Sequence, residues 1–258
     1  MSSRQKNEIR SNPIRNRADW QKARDAALAN PGKFHGDIAK REIFWLSQNE
    51  STWLKLGADG KWIALDRKTG NTTTTALASE FNPWTVAFDD SRAPFYQWFK
   101  GAKTNACFNE VDANVLQGFG DEIAFHFEGD RWDPALNAGR GGPVVQRSVT
   151  RKQLMFEVAK CALVLKDLGL KQGDRLALNM PNILEQIFFI EAAKRLGVIY
   201  TPVFGGFSAK TLSDRIHDAG ARVVITTDGA YRNAQVVGFK EVFTDKAIDD
   251  YVPVDQAL

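Results

Sequence analysis

The sequence has few of the features that mark secreted, metal-binding or membrane proteins. Its 258 residues include two cysteines, Cys107 and Cys161, and neither has a metal ligand or a second thiol at a useful spacing. We interpret both as reduced thiols, which excludes a disulfide framework. No uncharged apolar run approaches the roughly 20 residues of a membrane helix. The polar, basic start also lacks the apolar segment of a secretory signal, so we expect a cytoplasmic protein.

An excess of charge of one sign is also missing. There are 34 Lys and Arg against 31 Asp and Glu, and a net charge of +3 is too weak to predict binding to nucleic acid or to an anionic membrane. The three histidines, His35, His126 and His217, are scattered and stand in no ligand motif. We therefore assign no metal site and no catalytic residue.

Several sequence motifs of common enzymes are absent too. The chain has no G-x-S-x-G, Walker, H-E-x-x-H or G-x-G-x-x-G sequence. The missing glycine fingerprint disfavours a NAD-binding dehydrogenase domain.

The first 95 residues predict a helical arm with a hairpin and a loop insertion. Apolar positions recur at helical spacing over residues 20–28, Pro31-Gly32 is expected to end that helix, and a second helical stretch is expected over residues 38–46. Asp59-Gly60 lies between two short apolar runs, which is a strong hairpin signal. Residues 70–94 are expected to form a loop and an irregular arm.

From about residue 120 the pattern becomes regular. Residues 123–127 alternate as a half-buried strand does, with His126 facing solvent, and Thr150 with Gln153 has the spacing of a capping box. Strands are then expected over residues 175–180, 198–204, 222–227 and 241–243, with helices over residues 151–168, 183–196 and 208–219 and a short one before the last strand. This alternation predicts an α/β fold with a mostly parallel sheet flanked by helices over residues 96–258.

The most informative segment is residues 203–208, where Gly205 and Gly206 follow a predicted strand and Ser208 precedes a predicted helix. Parallel sheets bind ligands beyond the carboxyl ends of their strands. Glycine lets a ligand approach the backbone, and a helix N-terminus favours an anion. On the spacing alone, a tight turn that requires left-handed dihedrals is the favoured alternative.

A second loop brings Arg232 to the same edge of the sheet. It follows the strand expected over residues 222–227, and both loops leave the carboxyl ends of strands. A guanidinium there can pair with a phosphate bidentately. The alternative for any single arginine is a solvated surface position.

Several stretches match one enzyme family in order. They are WFKG at 98–101 with Asn105, Asn109 and Asp112; VT at 149–150 with Leu154; GDRLA at 173–177 and MPN at 180–182; VFGGFS at 203–208 with L-x-DRI at 212–216; and VITTD at 224–228 with Arg232. Together they resemble the AMP-forming acyl-CoA synthetases of the acetyl- and propionyl-CoA synthetase branch. The resemblance covers residues 95–240, and VFGGFS followed by L-x-DRI is quite specific to this branch.

The resemblance implies a fold, a reaction and binding residues. Residues 96–258 would be the first part of the large α/β domain of the acyl-adenylating enzyme fold. Such enzymes activate a small carboxylic acid with ATP and Mg, release pyrophosphate and transfer the acyl group to the thiol of coenzyme A. By resemblance, Phe204 stacks on the adenine of coenzyme A, Gly205 and Gly206 allow its close approach, and Arg232 meets one of its phosphates. Gln235 stands where the family often has a second arginine.

The family's ATP loop, acid pocket and catalytic lysine have no counterpart in these 258 residues, so we expect them in remaining domains of the same polypeptide. The isolated chain is then expected to be inactive. The long segment between the hairpin and Trp98 looks like the N-terminal part of the multifunctional propionyl-CoA synthase, which activates 3-hydroxypropionate. The alternative is a non-catalytic module that binds coenzyme A or supports assembly.

Overall fold

The computed structural model describes residues 14–73, 81–232 and 235–251, and the chain divides into two compact units, Met1–Thr104 and Asn105–Leu258. The described helices include none long and apolar enough to cross a membrane.

Two helices open the first unit, α1 (Arg17–Ala29) and α2 (Pro31–Glu42). Asn30 joins them, because its backbone N–H donates to Ala26 at the end of α1 while its side chain accepts from Lys33 at the start of α2. Pro31 takes the first position of α2, where no backbone N–H is needed. The predicted stop of α1 is therefore confirmed, but the same proline begins a helix.

A three-stranded antiparallel sheet follows, formed by β1 (Trp45–Leu46), β2 (Thr52–Leu56) and β3 (Trp62–Asp66) in that order. The predicted hairpin is confirmed, with Gly60 at φ 76° in its turn. The helix expected over residues 38–46 is wrong beyond Glu42, because the backbone becomes extended at Ile43, and Trp45 and Leu46 pair with β2.

The arm expected to be irregular up to residue 94 contains a strand, β4 (Val86–Asp89), which forms a second hairpin with β5 (Gln97–Lys100). The prediction of an irregular arm is therefore wrong at β4. The sequence gives little sign of this hairpin, because β5 is mostly exposed and shows no apolar alternation. Instead, aromatic rings pack at the base of the hairpin: Trp45 lies 5.4 Å from both Trp84 and Phe99 between ring centroids. Residues 74–80, which include part of the predicted loop, lie outside the described residues.

The second unit begins with two wide helical turns of π type, Phe108–Asp112 and Val115–Phe119. Strand β6 (Ile123–Glu128) pairs antiparallel with β9 (Gln146–Thr150), and a short pair, β7 (Trp132–Asp133) with β8 (Gly142–Pro143), lies in the loop between them. Helix α3 (Arg151–Asp167) starts at the predicted capping box: Gln153 N–H donates to Thr150 Oγ1, and Thr150 N–H donates to Gln153 Oε1.

A parallel sheet forms the centre of the second unit. Strand β10 (Arg175–Met180) lies between β11 (Ile199–Phe204) and β12 (Val223–Thr226), and α4 (Leu184–Leu196) and α5 (Ala209–Ala219) connect them. Alternate residues of β10 face opposite sides: Leu176 and Leu178 join a cluster with α3 and α4, whereas Ala177 joins one with α5. The α/β class is confirmed, but among the described strands this one sheet is parallel and the other pairs are antiparallel.

The last part of the unit differs from the prediction. A hairpin of β13 (Ala230–Arg232) and β14 (Gln235–Val237) replaces the expected short helix, and a π-type turn at Lys240–Asp245 followed by α6 (Lys246–Tyr251) replaces the expected strand over residues 241–243. The apolar residues Phe239, Phe243 and Ala247 recur every four positions, which is a helical spacing.

Candidate functional site

The candidate site lies at the carboxyl end of the parallel sheet. Strand β11 ends at Phe204, beside the end of β10 at Met180, and the β13 hairpin follows β12. The Phe204 side chain is 63% exposed although it ends a strand of the central sheet. An aromatic ring presented to solvent at this edge is placed to receive a ligand.

Arg232 lies against the Phe204 ring. Its guanidinium carbon is 6.0 Å from the ring centroid, at the outer limit of a cation–π contact, and its Nη1 donates to the carbonyl of Gly205 at 3.2 Å. The carbonyl bond fixes one edge of the guanidinium beside the loop. The structure thus brings together Phe204, Gly205 and Arg232, as expected from the loops that follow β11 and β12.

The two glycines leave room for neighbouring rings and for the arginine. A Cβ on Gly205 would lie 2.5 Å from the buried ring of Phe239. A Cβ on Gly206 would lie 2.6 Å from the Phe204 ring and 3.0 Å from Arg232 Nη2. Neither glycine has a φ in the left-handed region, so the alternative of a turn that requires left-handed dihedrals is wrong. Close packing explains the pair instead.

The helix after the loop begins as expected. Ser208 caps α5, since its hydroxyl accepts from the N–H of Thr211 at 3.2 Å. Phe207, 43% exposed, packs edge-on against Phe204 at 5.7 Å between centroids. The loop therefore presents two aromatic rings beside a helix N-terminus.

The sequence interpretation missed a buried polar ring under this edge. Asn179 Nδ2 donates to Thr244 Oγ1 at 3.0 Å, Thr244 Oγ1 donates to Thr226 Oγ1 at 2.9 Å, and Thr226 Oγ1 donates to the carbonyl of Asn179 at 3.0 Å. A signal was present, because Asn179 is a polar residue inside the apolar strand β10. Its partners could not be read from the sequence.

Asn105 and Asp112, which follow WFKG, hold helix α4 in place. Asn105 Nδ2 donates to the carbonyls of Lys194 and Arg195 at the end of α4, and Asp112 forms an ion pair with Arg195. Burial raises the pKa of the Asp112 carboxyl, and the Arg195 guanidinium opposes that rise. These contacts clamp α4 and lie apart from the residues of the candidate site.

The cysteines and histidines show no arrangement for catalysis. Burial raises the pKa of the Cys107 thiol to about 12 and that of Cys161 to about 11, so neither is a ready nucleophile at neutral pH. His126 is exposed, and its Nδ1 lies 3.0 Å from Ser148 Oγ. In the described ranges, no three His, Cys, Asp or Glu side chains are grouped to hold a metal ion.

Comparison with known proteins gives two family matches and a set of relatives. Residues 116–256 match the family described as AMP-binding enzyme, and residues 77–109 match the acetyl-coenzyme A synthetase N-terminus. An acetyl-coenzyme A synthetase of Mycolicibacterium smegmatis is 44% identical over 176 residues, covering 68% of this chain and 17% of the relative. Those of Streptomyces coelicolor and Pyrobaculum arsenaticum are 41% and 37% identical, covering 67% and 69% of this chain and 25% and 26% of the relatives. The chain thus spans about a quarter or less of the length of these relatives.

Proposed function

Since the chain belongs to the AMP-binding enzyme family, we propose that it contributes the coenzyme A site of an ATP-dependent, AMP-forming acyl-CoA synthetase. The predicted resemblance to the acetyl-CoA synthetase branch is confirmed by the second family match and by the relatives. Because those relatives are about four to six times longer than the matched part, we propose acid activation for the whole protein. The proposed acids are acetate, propionate and 3-hydroxypropionate.

The observation that carries this proposal is the exposed Phe204 ring beside Arg232. A base stacked on an exposed aromatic ring gains about 1–3 kcal/mol. A guanidinium next to that ring supplies a charge-assisted partner for a phosphate of the same nucleotide. Coenzyme A carries both an adenine and phosphates, so one ligand can use both groups.

ATP with Mg and the acid are proposed to bind to other parts of the whole protein. The Arg232 guanidinium beside the Phe204 ring is a cation, which suits an anionic nucleotide better than a magnesium ion. Phe204, Gly205, Gly206 and Arg232 therefore act in the thioester-forming half of the reaction. They are not expected to affect formation of the acyl adenylate.

The test separates the two half-reactions in the intact protein. Phe204→Ala is expected to raise the KM for coenzyme A about tenfold, through the lost stacking. Exchange of ATP with pyrophosphate in the presence of the acid, which needs no coenzyme A, is expected to stay unchanged. Phe156→Ala is the matched control, because the Phe156 ring is 61% exposed on α3, away from the site.

A parallel loss of exchange and thioester formation in Phe204→Ala would contradict the proposed role. So would an unchanged KM for coenzyme A.

It stays a prediction that residues 1–258 alone do not adenylate a carboxylate. Pyrophosphate release with each of the three acids measures it, and turnover by the isolated chain would show it to be wrong.

A second candidate function, an assembly module, is favoured by one observation. The hairpin of β4 and β5 carries exposed aromatic side chains, with Phe95 76%, Tyr96 54% and Trp98 42% exposed. Exposed apolar patches mark interaction surfaces. If assembly is the function, Phe95→Ser changes the oligomeric state seen by light scattering, and the protein does not bind coenzyme A.

A further inference from the structure

The hydrogen-bond ring of Asn179, Thr226 and Thr244 connects the sheet to the segment below the glycine loop. Asn179 and Thr244 are 2% and 3% exposed, so water does not replace a lost partner. Each hydroxyl in the ring donates once and accepts once, in the direction fixed by the Asn179 amide and carbonyl. The ring joins β10, β12 and the turn Lys240–Asp245.

That turn begins at Phe239, whose ring supports the candidate site. Phe239 is 1% exposed and packs so closely under Gly205 that no side chain fits there. Gly205 in turn offers its carbonyl to Arg232. A physical path therefore runs from Thr244 along the turn to Phe239, Gly205 and Arg232.

We propose that Thr244 is a positioning residue for the nucleotide site at Phe204 and Arg232, which rests on the proposed function. Its hydroxyl holds the turn Lys240–Asp245 against the ends of β10 and β12. The turn keeps the Phe239 ring under Gly205, and the Gly205 carbonyl then holds the guanidinium over the Phe204 ring. Thr244 itself does not contact the ligand.

Two substitutions at Thr244 distinguish anchoring by the hydroxyl from filling of space. Valine has nearly the shape of threonine but neither donates nor accepts, so Thr244→Val leaves the Asn179 amide and the Thr226 hydroxyl without this partner. Serine keeps the hydroxyl and loses a methyl group. If Thr244→Ser retains binding of coenzyme A and Thr244→Val does not, the hydroxyl in the hydrogen-bond ring is what positions the site.

The experiment is calorimetric titration of the intact protein with coenzyme A, at a temperature at which circular dichroism shows each variant folded. Thr244→Val is expected to bind about fivefold to tenfold more weakly, and Thr244→Ser within about twofold of the unmodified protein. Val158→Ala is the control for lost stability alone, since Val158 is fully buried in the cluster on the other face of the sheet. It is expected to bind within about twofold.

Each outcome decides the proposal. If the unmodified protein binds coenzyme A and Thr244→Val binds equally well, the positioning role is overturned and the proposed function stands. If Val158→Ala weakens binding as much as Thr244→Val, or serine fails to restore it, the role is overturned as well. If the unmodified protein does not bind coenzyme A, both the proposed function and the positioning role fail.

A second variant covers the case in which Thr244→Val does not fold. Phe239→Leu keeps an apolar side chain in the buried position but removes the ring that lies against Gly205. It is expected to weaken binding of coenzyme A about fivefold. Unchanged binding in Phe239→Leu would overturn the path from the turn to the loop.

Discussion

The two ends of the parallel sheet both carry arginines, but their surroundings differ. At the amino end, the Asp174 carboxylate accepts from the backbone N–H of Lys171 at 2.8 Å and from Arg222 Nη1 at 3.3 Å. Arg175 Nε donates to the carbonyl of Ala219 at the end of α5. These groups tie loops and a helix end to the sheet.

At the carboxyl end, Arg232 lies over an exposed ring and contacts the carbonyl of Gly205. Arg222 at the amino end has the Asp174 carboxylate as a partner, whereas Arg232 contacts an aromatic ring and a carbonyl, so its charge is available to a ligand anion. The surroundings of Arg222 and Arg232, rather than the residue type, distinguish the amino end of the sheet from the proposed binding end.

The largest effect is expected from the glycine pair at the binding end. Gly205→Ala places a methyl group against the buried Phe239 ring, which has no room to move, so we expect the free energy of unfolding to fall by about 1–3 kcal/mol. Gly206→Ala meets the exposed Phe204 ring, which can rotate away. There we expect a change in stability of about 0.5 kcal/mol or less, with weaker binding of coenzyme A.

Urea unfolding and calorimetry on the two alanine variants check this difference. Each variant is the control for the other, because the residues are adjacent and the added atom is the same. Equal losses of stability in both would show that the loop does not separate a supporting glycine from a binding one.

A smaller effect is expected at the amino end and depends on pH. The backbone N–H of Lys171, followed by the Arg222 guanidinium, holds the pKa of the Asp174 carboxyl below its usual value. A depressed pKa in the folded state means that this carboxylate stabilises the fold above the ordinary Asp pKa of about 4. That contribution is lost as the pH falls through the lower, folded pKa.

We therefore expect Asp174→Asn to lower the thermal midpoint slightly at pH 7. Below about pH 4, the thermal midpoint of the variant is expected to decrease less with falling pH than that of the unmodified protein. Binding of coenzyme A is expected to be unchanged, since Asp174 lies at the opposite end of the sheet. Thermal unfolding followed by circular dichroism between pH 7 and pH 3 measures the change. If the variant has the same pH profile as the unmodified protein, the Asp174 carboxylate does not contribute to the pH dependence of stability.

The sequence predicted the parallel part of the fold well, because each element there has its own local signal. Thr150 with Gln153 and Ser208 begin helices α3 and α5, Gly197 and Gly220 end α4 and α5 in left-handed conformations, and the apolar strands lie between them. The strand boundaries differ from those expected by one residue or less at each end.

The hairpin of β2 and β3 was predicted from Asp59-Gly60, but the two later hairpins, β4 with β5 and β13 with β14, were not. The hairpin of β4 and β5 packs its rings on Trp45, about 40 residues earlier in the chain. In the segment after β12, the buried Phe239 ring lies against Gly205, more than 30 residues earlier in the chain. Neither of these long-range contacts can be read from a local pattern, although the spacing of Phe239, Phe243 and Ala247 is helical.

The candidate site was predictable in part, because its residues lie at or after the ends of parallel strands. The loops after two parallel strands had to meet at one edge, so Phe204, Gly205, Gly206 and Arg232 were expected to be neighbours. The support beneath them was not expected. Asn179 and Thr244 are 65 residues apart in sequence, and their bond depends on how the last turn packs under the sheet.

The most direct test of the binding end is titration of the intact protein with coenzyme A in two arginine variants. Arg232→Ala is expected to weaken binding about tenfold to a hundredfold, through loss of a charge-assisted bond to a phosphate. Arg222→Ala, at the other end of the same sheet, is expected to bind within about twofold of the unmodified protein. Equal binding by both variants, or a larger loss in Arg222→Ala, would contradict the assignment of the coenzyme A site to the carboxyl end of the sheet.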